Sequence, residues 1–468
     1  MALKNLLPAM LKAVMKGQPR AREDSHYPGW HLAPVTGLLN DPNGFIHFNG
    51  QYHLFYQWNA LACEHKHKCW GHWRSADLLH WEHEPVALLP DEEYDRSGCY
   101  SGSAVDNGEL TLCYTGNVKF EDGSRTAWQC LAVQNGEGGF DKLGPVIPLP
   151  EGYTGHVRDP KVWRHGGYWY MVLGAQDAQL QGKVLLLRAS DLHHWENLGE
   201  IAGSGLGGLG AAGYMWECPD MFTLGASTFL ICCPQGIPRE DKRYLNTHPC
   251  AWLSGTLDYE NAHYSHGAFN ELDAGFEFYA PQTTLTQDGR RLLVGWMGVP
   301  DGEEMRQPTV AFGWIHQMTC IRELTERDGR LYQQPVAELQ ALRLDEQRYR
   351  GPADGAPEMA ARRLELVLTS GGDITLDFAD TLRLSWHQET LCLARRSLEN
   401  GEWLYRHWCG SARKLHILCD HSSVEIFIND GEGVMSSRYF PQHPARLRLS
   451  GSAEVTACYW SLRSCMVE

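Results

Sequence analysis

Alternating apolar and polar residues, broken by short turns, fill most of the first two thirds of the chain. Residues 37–58 contain two such runs joined by Asn49-Gly50. Alternation predicts half-buried strands, and Asn-Gly between two alternating runs is typical of a hairpin. The N-D-P-N-G motif that begins at Asn40 predicts a tight turn before the first strand.

The same hairpin unit recurs four more times. Equivalent openings fall at Asp41, Tyr100, Asp159, Glu217 and Tyr279, which are spaced by 59, 59, 58 and 62 residues. A steady period with several short strands per unit is typical of a β-propeller. We therefore predict an all-β fold with a five-bladed propeller over residues 26–330. The first strand of each blade would line a central channel, where the five openings meet.

The pattern changes at both ends of the repeat. Apolar residues interrupted by lysines over residues 1–22 predict an amphipathic surface helix within an extension of residues 1–25. Helical spacing over residues 334–343 predicts a short helix in a linker of residues 331–356.

Alternating strands return from Leu364 onward and predict a C-terminal β-sandwich over residues 357–468. Within it, Asp420, Glu425 and Asp430 are expected to be surface or turn residues.

Composition narrows the classes of partner. A formal net charge of −16 argues against nucleic acid and against an anionic membrane surface. No stretch has the apolar length of a membrane span, and the N-terminus lacks the pattern of a cleaved secretion signal. The 15 scattered cysteines do not resemble a disulfide framework and favour a reducing compartment. The chain is expected to be cytoplasmic; its oligomeric state is left open.

Three of the five openings carry a carboxylate: Asp41, Asp159 and Glu217. An acid followed by proline is often only a turn former, which would account for Asp41 and Asp159 but not for Glu217. Convergent carboxylates suit acetal hydrolysis, which needs an acid to protonate the leaving oxygen and a carboxylate to meet the oxocarbenium ion. Crowding of like charges raises at least one pKa in such a group.

The motifs at these openings resemble one known family. They are N-D-P-N-G at 40–44, Y-S-G-S at 100–103, R-D-P at 158–160, E-C-P-D at 217–220 and F-Y-A-P-Q at 278–282. Their order and spacing, with S-S-V-E-I-F-I-N-D-G-E at 422–432, resemble glycoside hydrolase family 32, the invertases and fructanases. One departure is Leu38-Leu39 where the family usually has Trp-Met, so an aromatic wall is not expected at this edge.

The resemblance implies retaining hydrolysis of a β-fructofuranosidic bond. Asp41 would be the nucleophile, and Glu217 the general acid and then the base for water. Asp159, with Arg158, would hold fructose hydroxyls and stabilise the transition state. The expected substrate is a small disaccharide.

Further residues on the same strands are expected to bind the sugar. Candidate hydrogen-bonding residues are Asn40, Gln57, Ser101, Gly102, Arg158 and Gln282. The aromatic residues could stack on sugar faces or belong to the propeller core; they are Trp58, Trp70, Trp73, Trp216, Tyr279 and Trp296.

Within the family, the resemblance points to members that act on sucrose 6-phosphate and release glucose 6-phosphate and fructose. Because the overall charge is negative, local cations would have to bind the phosphate. The candidates are His65, Lys66, Lys68 and Arg125.

Three alternatives remain open. The substrate could be unphosphorylated sucrose or a short fructan, or the propeller could bind sugar without reacting. Residues 63–69 with His72 offer metal-binding side chains, but they match no structural zinc spacing. We expect no metal and no cofactor.

Overall fold

The fold is taken from a computed structural model, which describes residues 5–300 and 303–465. The chain starts with one α-helix, α1 (Leu6–Arg22), and is otherwise built from strands. The part of the helix prediction that covers residues 1–4 lies outside the described residues. Within the described ranges, no helix is both long enough and apolar enough to cross a membrane.

Five sheets follow α1, and the middle of each first strand is buried. The strands of the first three sheets are β1 (Gly37–Phe48), β2 (Gln51–Asn59), β3 (Cys69–Ser75) and β4 (Trp81–Leu88); β5 (Cys99–Asp106), β6 (Leu110–Lys119), β7 (Arg125–Gln134) and β8 (Phe140–Ile147); and β9 (Tyr153–His165), β10 (Tyr168–Asp177), β11 (Gly182–Ala189) and β12 (Trp195–Gly203). The strands of the last two are β13 (Met215–Leu224), β14 (Ser227–Gln235), β15 (Ala251–Asp258), β16 (His263–His266) and β17 (Asn270–Glu271); and β18 (Tyr279–Leu285), β19 (Arg291–Trp296), β21 (Arg322–Arg327) and β22 (Arg330–Pro335), while β20 (Trp314–Ile315) joins the first sheet.

The five sheets close into a ring. The inner strands contact one another in the order β1, β5, β9, β13 and β18, and β18 contacts β1 again. Strand β20 pairs in parallel with β1, so the segment between β19 and β21 of the fifth sheet is tied to the first sheet. The predicted five-bladed propeller is confirmed.

Every inner strand has a β-bulge at its equivalent position. The register with the second strand shifts after Leu39, Tyr100, Arg158, Glu217 and Tyr279. A bulge inserts a residue and re-aims the side chains beside it. The tight turn predicted at Asn40 is therefore wrong: the motif lies inside the continuous strand β1, as its bulge.

Two six-stranded sheets form the C-terminal β-sandwich, whose facing sides are lined by apolar residues. One sheet contains β23 (Arg343–Pro352), β25 (Leu364–Ser370), β30 (Lys414–Asp420), β31 (Ser423–Ile428), β32 (Gly433–Arg438) and β34 (Glu454–Leu462); the other contains β24 (Met359–Ala360), β26 (Ile374–Phe378), β27 (Leu382–His387), β28 (Thr390–Arg396), β29 (Trp403–Cys409) and β33 (Arg446–Ser450). Short 3₁₀ helices span Glu304–Arg306, Pro308–Phe312, Ala337–Leu342, Ala353–Gly355 and Ala379–Thr381.

The linker proposed for residues 331–356 differs from the observed strand pairing. Strand β22 continues the fifth blade to Pro335, and β23 already belongs to the sandwich, where it pairs with β34. Only the 3₁₀ helix Ala337–Leu342 lies between these two strands. Strand β23 was missed because its residues are mostly exposed, so apolar residues do not alternate along it.

Propeller and sandwich share a buried polar interface. The Arg322 guanidinium binds Glu425 at 2.6 Å and Asp273 at 3.2 Å, and all three side chains are fully buried. His31 lies between Asp420 and Glu425, with 2.9 Å from a ring nitrogen to each carboxylate. The prediction that Asp420 and Glu425 are surface or turn residues is wrong, because they bind propeller groups. Asp430 does lie in a turn and pairs with Lys414.

Candidate active site

Asp41 is held on β1 by two neighbouring polar side chains. The Ser101 hydroxyl donates to Asp41 Oδ2 at 2.5 Å, and Asn40 Nδ2 donates to Asp41 Oδ1 at 3.0 Å. Neighbouring side chains on a regular strand point to opposite faces. Asn40 and Asp41 reach the same place because the β1 bulge follows Leu39.

Glu217 is the centre of a second hydrogen-bonded group. Arg158 donates to Oε1 from Nε at 3.0 Å and from Nη2 at 2.6 Å. Tyr279 donates its hydroxyl to Oε2 at 2.6 Å, and Gln235 Nε2 donates to the same oxygen at 2.8 Å. The Glu217 side chain is 18% exposed, so a ligand can reach it from solvent.

Asp159 connects the two groups. Its Oδ2 accepts the Cys218 amide at 2.9 Å, and the Cys218 thiol lies 3.6 Å from that oxygen and 3.8 Å from Asp41 Oδ2. Both residues have left-handed backbones, with φ of 69° at Asp159 and 49° at Cys218. Because of these bulge conformations, the consecutive side chains of Arg158 and Asp159 enter the same site, and so do those of Glu217 and Cys218. The three predicted carboxylates therefore meet.

The three carboxyl groups differ in proton affinity. Burial raises the pKa of Asp41, and the negative charge of Glu217 adds to the effect. Burial also raises the pKa of Asp159 to about 7, against the opposing charge of Arg158. For Glu217, burial is outweighed by Arg158 and by the Tyr279 hydrogen bond, and its pKa is lowered. Arg158 and Tyr279 thus favour the ionised form of Glu217, whereas burial favours the protonated form of the two aspartates.

Gln235 is not among the residues predicted from the sequence, but the pairing of β13 with β14 places it near Glu217. Cys233 on β14 lies opposite Glu217 on β13. Residues two apart on a strand face the same side, so Gln235 shares the face of Cys233 and reaches Glu217.

Two tryptophans proposed for sugar stacking are core residues. Trp58 and Trp70 are at most 3% exposed, and their indole nitrogens donate to the carbonyls of Thr36 and Tyr100. Burial alone does not distinguish them from Tyr279 and Trp296, which are 2% exposed each. Leu38 and Leu39, at the position where the family has Trp-Met, are fully buried too.

The other predicted sugar-binding residues differ in the neighbours that they contact. Gln57 is buried and donates to the Cys99 carbonyl at 2.7 Å, and the Gly102 amide faces Asn43 Oδ1 at 3.4 Å. The Trp296 ring stands edge-on to the Tyr279 ring, with centroids 6.1 Å apart. Gln282 Oε1 and Trp296 Nε1 are buried without a partner among the described residues.

The four residues predicted to bind phosphate differ in burial and in the partners that they contact. Lys68 is buried and hydrogen-bonded to Asn40 Oδ1 and to His65 Nδ1, so it belongs to the Asp41 group. Burial lowers its pKa to about 8. Arg125 contacts His156 Nδ1 at 3.0 Å, as Arg158 does. Lys66 is 70% exposed and pairs with Glu64.

The metal-binding alternative is not assembled as the sequence suggested. The Cys69 thiol contacts Met10, and His72 contacts His53. A different set, His65, Glu304 and His316, brings ligand atoms within 4.8 Å of one another. Its two histidines bind the Glu304 carboxylate at 3.0 Å and 3.2 Å, which makes this an internally paired cluster that also supports Lys68 through His65.

Comparisons with known proteins identify the family of the chain. Residues 31–335 match the Glycosyl hydrolases family 32 N-terminal domain, and residues 384–460 match the Glycosyl hydrolases family 32 C terminal. The chain is 64% identical to a sucrose-6-phosphate hydrolase of Salmonella typhimurium, with both chains fully covered.

Solved structures show the same architecture. The structure of a sucrose-6-phosphate hydrolase from Lactobacillus gasseri superimposes with a TM-score of 0.90 at 31% identity, covering 97% of each chain. A mutant of a Bombyx mori β-fructofuranosidase in complex with sucrose gives a TM-score of 0.86 at 31% identity, covering 100% of this chain and 99% of the other. With its paired carboxylates and these full-length matches, the chain is a glycoside hydrolase that belongs to glycosyl hydrolase family 32.

Proposed function

We propose that this enzyme hydrolyses the β-fructofuranosidic bond of sucrose 6-phosphate, giving glucose 6-phosphate and fructose with retained configuration. The observation that carries the proposal is the meeting of Asp41, Asp159 and Glu217 in one site, where Cys218 lies between the two aspartates and Arg158 binds Glu217. Relatives named sucrose-6-phosphate hydrolase, aligned over the full chain, support the choice of substrate.

Asp41 is the nucleophile in this proposal. Its carboxylate attacks the anomeric carbon of the fructosyl unit, while the bond from that carbon to the glucosyl oxygen breaks and its electron pair stays on the oxygen. Ser101 and Asn40 fix both carboxylate oxygens of Asp41, so the attacking atom is oriented before substrate arrives.

Glu217 gives the departing glucosyl oxygen a proton and then takes one from water. The water attacks the covalent fructosyl ester, and its oxygen ends on the released fructose while the Asp41 carboxylate is regenerated. In the free protein the pKa of Glu217 is lowered by Arg158 and Tyr279 despite burial. Bound substrate removes the remaining water, which raises the proton affinity of this carboxyl and prepares it to act as the acid.

Asp159 and Arg158 stabilise the cationic sugar and hold its hydroxyls. The Cys218 amide fixes Asp159, and the two bonds from Arg158 fix Glu217. Burial raises the pKa of Asp159 to about 7, so both its protonated and its ionised form occur near neutral pH in the free protein. A charged or hydrogen-bonding Asp159 is suited to vicinal hydroxyls, which both donate and accept.

Unphosphorylated sucrose is the second candidate substrate, favoured by the likeness to the β-fructofuranosidase that binds sucrose. Measuring kcat/KM for both sugars decides between them. We expect a clear preference for sucrose 6-phosphate, and equal or reversed values would overturn the proposal. The anomeric form of newly released fructose, followed by NMR, tests retention separately; an inverted product would remove Asp41 as nucleophile.

We also propose that the enzyme works in the cytoplasm. All 15 cysteines are described and none forms a disulfide, and most are buried. Thiol titration of the freshly isolated, denatured protein should give 15 free thiols; disulfides would argue for an oxidising compartment.

A further inference from the structure

A pocket of about 280 Å³ opens beside the catalytic cluster on the side of Lys68 and Tyr100. Six of its ten lining residues are Lys, Arg or His, and none of the ten is acidic; the six are His65, Lys66, His67, Lys68, Arg96 and Lys119. In a chain with a net charge of −16, this lining brings four lysine and arginine side chains together around one pocket. We call it the basic pocket.

We propose that the basic pocket binds the phosphate of the substrate, with Lys66, Arg96 and Lys119 as the side chains that contact it. This assignment rests on the function proposed above, because it presumes a phosphorylated disaccharide. It also revises the sequence prediction: Lys68 and Arg125 position catalytic groups, and Arg96 and Lys119 were not identified.

The first argument is the pocket's contact with the nucleophile. Lys68 lines the pocket and is hydrogen-bonded to Asn40, which in turn donates to Asp41. Tyr100 lines it too and is followed by Ser101, the second donor to Asp41. The pocket wall and the nucleophile are therefore separated by a single layer of side chains.

The second argument is its position relative to the acid. Lys119 on β6 pairs across the hairpin with Arg125 on β7. Arg125 and Arg158 both contact His156 Nδ1 at 3.0 Å, and Arg158 binds Glu217. Lys119 is therefore linked to Glu217 through Arg125, His156 and Arg158, and we take this end of the pocket to be the one nearer the acid. Glu217 protonates the glucosyl oxygen, so the glucose unit and its phosphate lie on this side of the cluster.

The third argument is that Lys66, Arg96 and Lys119 are available to bind an anion. Lys119 is exposed at the end of β6, and none of the ion pairs among the described residues includes it. Lys66 and Arg96 pair only with glutamates that are 52% and 86% exposed. Exposed pairs are weak, so a phosphate dianion displaces them easily. Lys68, in contrast, is buried with both Asn40 and His65 and stays with them.

The test compares a pocket variant with a matched control. The double variant Arg96→Ala with Lys119→Ala removes two exposed pocket cations. Its control is Arg243→Ala with Lys414→Ala, which removes one arginine paired at i,i+3 and one exposed lysine elsewhere. The measured quantity is kcat/KM for sucrose 6-phosphate divided by kcat/KM for sucrose, and thermal melting verifies that both variants fold.

We expect the ratio to fall at least about tenfold in the pocket variant and to stay near the wild-type value in the control. The wild-type KM for sucrose 6-phosphate should rise with salt more than the KM for sucrose. An unchanged ratio in the pocket variant, in an enzyme whose wild type prefers the phosphorylated sugar, overturns the pocket assignment alone. A wild type without that preference overturns the proposed substrate and the pocket assignment together.

Discussion

Removing the Tyr279 hydroxyl should shift the pH dependence of catalysis by a predictable amount and in a defined direction. This hydroxyl donates to Glu217 Oε2 at 2.6 Å and is among the causes that lower the pKa of that carboxyl. Hydrogen bonds to an ionised group stabilise the ionised form. In Tyr279→Phe the carboxylate loses this donor, and the pKa of Glu217 rises.

The size of the shift follows from the remaining contacts. A hydrogen bond to a charged group contributes about 1.5–3 kcal/mol, and one pKa unit corresponds to about 1.4 kcal/mol. Gln235 still donates to the same oxygen at 2.8 Å, and Arg158 still binds Oε1. We therefore take the lower limit and expect a rise of about one pKa unit.

The assay is the pH profile of kcat, which reports groups of the enzyme–substrate complex, where Glu217 acts as the acid. A general acid must be protonated, so activity falls above its pKa, and a raised pKa moves the basic limb to higher pH by about one unit. Tyr153→Phe is the control, since that hydroxyl donates to the Glu200 carboxylate at 2.9 Å outside the site. A basic limb that stays in place or moves to lower pH in Tyr279→Phe refutes the assignment of Glu217.

Three further predictions follow from the same contacts. Asp41→Asn should lower kcat by about 10⁴ or more because the nucleophile is lost, with an unchanged melting temperature; near-normal turnover would remove Asp41 from this role. Glu217→Gln should cost about 10²–10⁴ in kcat on the natural substrate and less on an aryl fructoside, whose leaving group needs no acid; equal losses on both would contradict acid catalysis. Burial raises the pKa of Asp420, but the hydrogen bond and charge of His31 outweigh burial and lower this pKa to about 2. The stability that the Asp420 carboxylate contributes is therefore complete above about pH 4 and is lost as the pH falls towards 2. The free energy of unfolding, measured with urea, should depend less steeply on acidic pH in Asp420→Asn than in the wild type, and parallel slopes would refute the linkage.

The repeat was readable from sequence because each blade repeats the same local pattern. The hairpin turns, the alternation and the steady spacing of openings are all short-range signals, and they were enough to indicate five blades and the convergence of three acids. The bulges were not readable, since a bulge is a relation between two paired strands. The local composition of the N-D-P-N-G motif at Asn40 therefore predicts a turn, although the motif lies within β1.

Long-range partners explain the remaining differences. Trp58 and Trp70 are aromatic residues on the right strands, but which face they occupy depends on packing with other sheets. Glu425 binds Arg322, which is 103 residues away in the sequence, and no local sequence pattern predicts such a pair. The same is true of Lys68, whose place beside Asn40 distinguishes it from its exposed neighbour Lys66.

The charged contacts at the domain boundary have a consequence for anyone who cuts this protein into parts. Arg322 belongs to the fifth blade, yet its guanidinium is neutralised in part by Glu425 of the sandwich, and His31 is held between two sandwich carboxylates. A propeller expressed alone would leave Arg322 without one of its counter-charges and would expose apolar residues now covered by Phe427 and Val434. Inactivity of such a fragment would report a destabilised scaffold, and would say nothing about whether the sandwich touches the sugar.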